Sequence, residues 1–248
     1  MGIFTDFING HKGTKGETKI EVKLDNLDFF GYHGKCLRNL YVPRYDGSTT
    51  EIDLVYITPK GVFIIESKNY IGYIFGNDKA ENWTCTLYGG KTWYGTKKID
   101  KRHFYNPVKQ NYAHLKALTE YLGELYSFSL IVFGDKSELK DITITTPGIY
   151  VCNTKTLSKV IKDIWNREPD IYTEEQIKDI RNRLVKLTNV SSSAKRQHIQ
   201  NIGNDNQLDT CPWCGGKLVL REAKQGKYKG KCFYGCSNYP RCKYIRNT

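Results

Sequence analysis

Five of the eight cysteines lie between Cys211 and Cys242, and that clustering limits what the end of the chain can be. Cys211-Pro212-Trp213-Cys214 is followed, after twenty-one residues, by Cys236-Ser237-Asn238-Tyr239-Pro240-Arg241-Cys242. Two close pairs of thiolates are what a closed tetrahedral Zn²⁺ site requires, each pair turning its backbone amides towards sulfur. A segment of ~35 residues cannot stabilise itself by apolar burial alone, so bound metal would supply much of its folding free energy. Gly215-Gly216 and Gly235 suit the tight turns. By spacing alone Cys232 could replace Cys236 as a ligand. Cys36, Cys85 and Cys152 are far apart in sequence, which argues against a disulfide framework spanning the fold.

Residues 189–210 are rich in Ser, Asn, Gln and Asp and poor in apolar side chains, the composition of a linker. They divide an N-terminal domain, residues 1–188, from the cysteine module, residues 211–248. Within the first domain Ile20, Leu24 and Leu27 recur at helical spacing over residues 16–27. Extended stretches follow at 36–43, 51–58, 62–68, 71–75, 83–87 and 91–94, punctuated by Gly, Pro and Asn. Asn106-Pro107 opens a helix expected to run to about Tyr126, with proline in the first turn, where a missing N–H does little harm. Strands at 128–133 and 149–152 precede helices at 157–165 and 177–187, the last behind the capping-box pattern Thr173-Glu174-Glu175-Gln176. This order predicts a mixed α/β domain.

Lys and Arg number 38 against 26 Asp and Glu, a formal net charge of +12. Residues 195–248 hold 11 basic and 3 acidic side chains, +8 of that total, and residues 1–194 hold 27 and 23, the remaining +4. The excess points to a polyanionic partner, and its placement assigns capture mainly to the C-terminal module. The pairs Lys97-Lys98 and Lys101-Arg102 read as a solvated face. No apolar run approaches the ~18 residues of a membrane span. Met1-Gly2-Ile3-Phe4 leads into Asp6 rather than an apolar signal core, so a cytoplasmic protein without a membrane partner is expected.

The sharpest chemistry in the first domain is Glu51-Ile52-Asp53, twelve residues, then Glu66-Ser67-Lys68. On a strand Glu66 and Lys68 share a face. A hairpin through Thr58-Pro59-Lys60-Gly61 with a two- or four-residue loop would put Asp53 opposite Glu66, with Cβ atoms ~5 Å apart, within reach of one divalent cation. A three-residue loop with a glycine bulge would pair Asp53 with Ser67 instead. Hard oxygen ligands holding Mg²⁺, with a lysine to orient or deprotonate water or to offset charge on phosphate, suit phosphodiester hydrolysis. Two acids at strand ends balanced by Lys68 is the bland alternative.

Asp53 with Glu66-Ser67-Lys68 resembles the PD-(D/E)xK nuclease signature, and the flanking residues resemble one branch of it, the nuclease-related domain (NERD). The matching features are Gly13-Thr14-Lys15-Gly16-Glu17, Glu51-Ile52-Asp53, Gly61 with Val62 to Asn69, Gly72, Trp83, and Asn106-Pro107-Val108-Lys109-Gln110 with His114 and Leu118, spanning roughly residues 10–125. The resemblance implies a restriction-endonuclease-like mixed sheet flanked by helices and cleavage of nucleic acid dependent on Mg²⁺ or Mn²⁺. It implies Asp53 and Glu66 as metal ligands, Lys68 as the water-activating residue, Glu17 as a first-helix carboxylate assisting the metal or its water, and Gln110 as a helical residue beside the site. Ser67 departs from the apolar residue many members carry there.

Cys236 to Tyr244, together with the upstream Cys211-Pro-Trp-Cys-Gly-Gly-Lys-Leu-Val-Leu-Arg221, is similar to the zinc ribbon at the C-terminus of type I DNA topoisomerases. That resemblance implies the ligand set Cys211, Cys214, Cys236 and Cys242 and leaves Cys232 outside it. It also implies binding of DNA, single-stranded DNA included. Trp213, Phe233, Tyr234 and Tyr239 interleave with Arg221, Lys227, Lys229, Lys231, Arg241 and Lys243, the mix that stacks bases along a phosphate track. His114 is expected as a partly exposed helix residue, since metal chemistry here favours oxygen, His11 and His103 as loop residues, and Trp83 and Trp93 as packing residues. The expected function is a Mg²⁺-dependent endodeoxyribonuclease tethered to DNA by a zinc ribbon. An RNase and a catalytically silent nucleic-acid-binding adaptor are the competing readings.

Overall fold

The computed structural model describes residues 13–44, 48–91, 97–188, 218–222, 232–237, 239–240 and 245–247. In chain order the N-terminal elements are α1 (Gly13–Phe29), β1 (Lys35–Pro43), β2 (Thr49–Thr58), β3 (Gly61–Lys68), β4 (Gly72–Asn77), β5 (Asn82–Lys91), β6 (Lys97–Tyr105), α2 (Pro107–Leu122), β7 (Ser127–Phe133), β8 (Ser137–Thr143), β9 (Ile149–Asn153), α3 (Leu157–Arg167) and α4 (Glu174–Val185).

Consecutive side chains of β3 point to opposite faces of its sheet, yet Val62, Phe63, Ile64 and Ile65 are all buried, so both faces must be covered. Phe63 and Ile65 pack with Ile20, Leu24 and Leu27 of α1 and Leu157, Ile161 and Ile164 of α3. Val62 and Ile64 pack with Ala117 and Leu118 of α2 and Ile180 and Leu184 of α4. The covered sheet has five strands in the order β1-β2-β3-β7-β9. Its first three strands run antiparallel, and β7 and β9 are parallel to β3.

A second sheet of four strands, ordered β6-β5-β4-β8, packs through Ile74, Trp83 and Cys85 against Ile131 and Phe133 of β7 and Val108 of α2. β6 and β8 escape the sequence pattern because they are polar. They form the two edges of this sheet, where charged side chains discourage pairing with another chain. The Lys101-Arg102 pair is exposed on β6, and His103 lies in that strand rather than a loop, 3.0 Å from the Thr84 hydroxyl. Residues 92–96, within the stretch expected as strand 91–94, lie outside the described residues.

The second helix begins at Pro107 as expected but ends at Leu122, four residues early. Gly123 follows at φ 95°, a conformation glycine adopts without strain, and its N–H reaches back to the Thr119 carbonyl. The capping box at Thr173 and Gln176 is present in both directions. At the C-terminal end, β10 (Leu218–Glu222), β11 (Cys232–Cys236) and β12 (Ile245–Asn247) form an antiparallel three-stranded sheet. The expected linker 189–210 and Cys211, Cys214 and Cys242 lie outside the described residues. Among the described residues no helix is long and apolar enough to cross a membrane.

Candidate functional site

The connection between β2 and β3 decides where the acids meet. Thr58 pairs with Gly61, which leaves Pro59-Lys60 as a two-residue loop, and Gly61 takes φ 146°, open to glycine alone. The ladder then runs through Leu54 opposite Ile65. One step further puts Asp53 opposite Glu66, the first of the two registers open on sequence. The Ser67 N–H donates to Asp53 Oδ2 at 2.8 Å and ties the carboxylate to the strand that carries Glu66.

Glu66 and Lys68 lie on the face of β3 covered by α2, because they share the parity of Val62 and Ile64. Lys68 Nζ donates to Glu66 Oε1 at 2.7 Å and to Gln110 Oε1 at 2.9 Å. One turn along α2, His114 Nε2 lies 3.1 Å from Glu66 Oε2 and its Nδ1 lies 2.8 Å from the Thr50 hydroxyl. His114 is only 4% exposed, so the expectation of a partly exposed helix residue is wrong. Its spacing from Gln110, i to i+4, is the signal that it shares the site-facing stripe.

The placement of α2 is itself fixed by a buried cap. Asn106 Oδ1 accepts from the Val108 N–H, and its Nδ2 donates to the carbonyls of Asn77, Asp78 and Ala80 in the turn between β4 and β5. Asn111 Nδ2 donates to the Ile64 carbonyl and the Ser129 hydroxyl, which seats the helix on β3 and β7. At the other end of the site, Gly16 of α1 passes so close to Asn69 that a Cβ there would lie 2.3 Å from Asn69 Nδ2. Glu17 is thereby held beside the site. It is buried, its Oε2 accepts from Arg38 at 3.3 Å, and Arg38 also reaches Glu21.

The charges are unevenly balanced. Burial, and next the Glu66 carboxylate, push the Asp53 carboxyl well above the usual carboxylate range. Burial would also raise Glu66, but the Lys68 ammonium and the His114 hydrogen bond outweigh it and hold Glu66 below its ordinary value. Lys68 responds in kind: burial works to lower it, and Glu66 and Asp53 more than compensate, so it is an ammonium. Burial lifts Glu17 despite Arg38, with further repulsion from Glu51 and Glu66.

These donors fit a divalent cation. Asp53 and Glu66 offer hard oxygens of the kind Mg²⁺ and Mn²⁺ take. A cation would also offset the desolvation and the Glu66 repulsion that push the Asp53 carboxyl upward. Among the described residues no group of three or more His, Cys, Asp or Glu side chains converges to hold a metal. Two carboxylates are a number of protein ligands that Mg²⁺, which keeps several waters, accepts.

In the C-terminal sheet, β11 places Cys232 and Cys236 at opposite ends, and Cys236 is buried. The Tyr239 N–H turns back to the Cys236 carbonyl at 3.2 Å and closes a tight turn after Cys236. Arg221 on β10 lies over the Tyr239 ring at 5.9 Å, and both side chains are exposed. Phe233 and Tyr234 lie in β11, but their side chains, and all of Trp213, Lys231, Arg241 and Lys243, are outside the described residues.

The family described as nuclease-related domain matches residues 12–134, and the family described as topoisomerase DNA binding C4 zinc finger matches residues 209–248. An uncharacterized protein of Bacillus anthracis is 30% identical over 195 residues, covering 78% of this chain and 84% of that protein. An uncharacterized protein of Methanocaldococcus jannaschii is 33% identical over 185 residues, covering 73% of this chain and 52% of that protein. DNA topoisomerase 1 of Archaeoglobus fulgidus is 28% identical over 154 residues, covering 60% of this chain but 20% of that enzyme. The chain therefore spans about half and a fifth of the last two. No solved structure matches it.

Proposed function

Because the chain belongs to the nuclease-related domain family and ends in a topoisomerase-type C4 zinc ribbon, we propose that it is a metal-dependent nuclease that hydrolyses phosphodiester bonds of DNA. The observation that carries this reading is the convergence of Asp53, Glu66, Lys68 and Gln110 from two strands and one helix. Mg²⁺ or Mn²⁺ held by Asp53 and Glu66 would supply Lewis-acid polarisation of the scissile phosphate.

The chain's own residues do the rest. Lys68, kept charged by two carboxylates, offsets negative charge developing on the phosphate oxygens. Gln110 fixes the direction of its ammonium. Glu17, raised by burial, assists as a carboxyl group able to hold or pass a proton at the edge of the site. The proposal divides the chain into a nuclease module (1–188), a linker (189–210) and a ribbon (211–248) whose zinc is held by Cys211, Cys214, Cys236 and Cys242. The ribbon's four thiolates and Zn²⁺ reduce its local +8 to +6, still enough to hold a phosphate backbone and to raise the concentration of substrate at the first module.

The test is a cleavage assay on circular and linear, single- and double-stranded DNA and RNA, with Mg²⁺, Mn²⁺ or EDTA. Asp53→Ala, Glu66→Ala and Lys68→Ala should each reduce DNA cleavage at least ~100-fold. Equal cleavage by the wild type and all three variants would sink the proposal. A second reading, a nucleic-acid-binding adaptor with a silent site, draws on one observation: both Glu66 oxygens already have partners within the chain. Mn²⁺ binding that depends on Asp53 and Glu66 separates the two readings.

A further inference from the structure

Glu66 is almost fully buried, and the partner of each oxygen comes from a different element. Oε1 takes Lys68 from its own strand, and Oε2 takes His114 from α2. An ionised carboxylate only accepts hydrogen bonds, so His114 Nε2 must carry the proton. Its Nδ1 lies 2.8 Å from the Thr50 hydroxyl, which donates to a neutral ring and accepts from an imidazolium, so the ring is held in either form. Thr50 and His114 are both 4% exposed, so water does not compete for either bond. Thr50 lies on β2 three residues before Asp53, which links the strand bearing one carboxylate to the orientation of the other.

We propose that Thr50 and His114 form a positioning relay that pins Glu66 Oε2 and leaves Oε1 as the single oxygen Glu66 presents to a divalent cation beside Asp53. This rests on the metal reading of the site. Lys68 has a second acceptor in Gln110, so its ammonium can yield Oε1 to a cation and still be held in direction by Gln110. His114 has a ring fixed at both nitrogens and cannot release Oε2 without losing a buried bond. Hydrogen-bonded groups behind ligating carboxylates of this kind typically contribute about 10- to 100-fold to metal affinity.

The experiment is Mn²⁺ titration by calorimetry of the full chain, wild type against Thr50→Val, His114→Leu and His114→Gln, with thermal unfolding in EDTA as the check on folding. Thr50→Val keeps the shape and removes the hydroxyl that holds Nδ1, so about 10-fold weaker Mn²⁺ binding is expected. His114→Leu should weaken it about 100-fold, and His114→Gln, whose amide can still donate to Oε2, should recover most of the loss. Wild-type affinity in folded Thr50→Val and His114→Leu overturns the relay while leaving the metal site standing. Loss in both His114 variants with no effect of Thr50→Val makes His114 a direct ligand and overturns it too. No Mn²⁺ binding by the wild type overturns the metal reading and the relay together.

Discussion

The Ser67 amide and the Asp53 carboxylate are joined at 2.8 Å across the β2–β3 ladder, so Ser67 meets the site through its backbone. That bond stabilises the charged form of Asp53, yet burial and Glu66 overcome it. Burial and the Glu66 charge therefore disfavour the ionised Asp53, and the consequences are measurable.

Asp53 titrates above its ordinary value of 3.8 in the folded state, so the folded chain binds the extra proton. Stability is then lost as pH rises from the unfolded value through the folded one, about 1.4 kcal/mol for each unit of elevation. In EDTA, Asp53→Asn should be more stable than wild type at neutral pH and should lose that advantage near pH 4. Thermal melts from pH 4 to 8 giving a constant difference would refute this.

Mg²⁺ or Mn²⁺ should reverse the effect. A bound cation favours the ionised Asp53, so any proton that Asp53 holds passes to the buffer, and the wild-type melting temperature rises with the logarithm of cation concentration. Asp53→Asn should show neither proton uptake by the buffer nor the shift. Calorimetry in two buffers of different ionisation enthalpy measures the proton directly.

Among the described residues, Gln110 meets the site through Lys68. Gln110→Ala should lower cleavage by about 10- to 100-fold without changing the Mn²⁺ affinity, because the ammonium loses its direction rather than its charge. A fall in affinity equal to the fall in rate would show that Gln110 acts on the cation instead.

Asn106→Ala removes a helix cap and takes a donor from the carbonyls of Asn77, Asp78 and Ala80, of which that of Asn77 keeps the Trp83 indole N–H at 2.9 Å. A destabilisation of about 2–4 kcal/mol is expected from urea unfolding. Because the cap sets the start of α2, the surviving folded protein should also lose activity.

Zinc should be held at one ion per chain and lost in Cys236→Ser. That variant should bind single-stranded DNA about 10-fold or more weakly at moderate salt, with a shallower salt dependence, while the melt of the N-terminal domain stays in place. Metal analysis and fluorescence anisotropy report the two effects separately.

By itself the sequence determined what depends on short spacing along the chain. Alternation placed Glu66 and Lys68 on one face, Asn106-Pro107 opened α2, Thr173 and Gln176 capped α4, and the cysteine pairs called for a metal where apolar burial is too small. Tertiary structure decided what depends on how elements turn and slide against one another. Two registers remained open for Asp53 until the two-residue loop at Pro59-Lys60 selected one. His114 read as a partly exposed helix residue because a helical stripe acquires its meaning from the sheet it faces, here the parity of β3 that turns Glu66 towards α2. β6 and β8 carried no apolar pattern because edge strands take their hydrogen bonds from a neighbour and keep their charges in water. Local spacing is written in the covalent chain, whereas register and facing follow from packing, which sets the non-local partners of each residue.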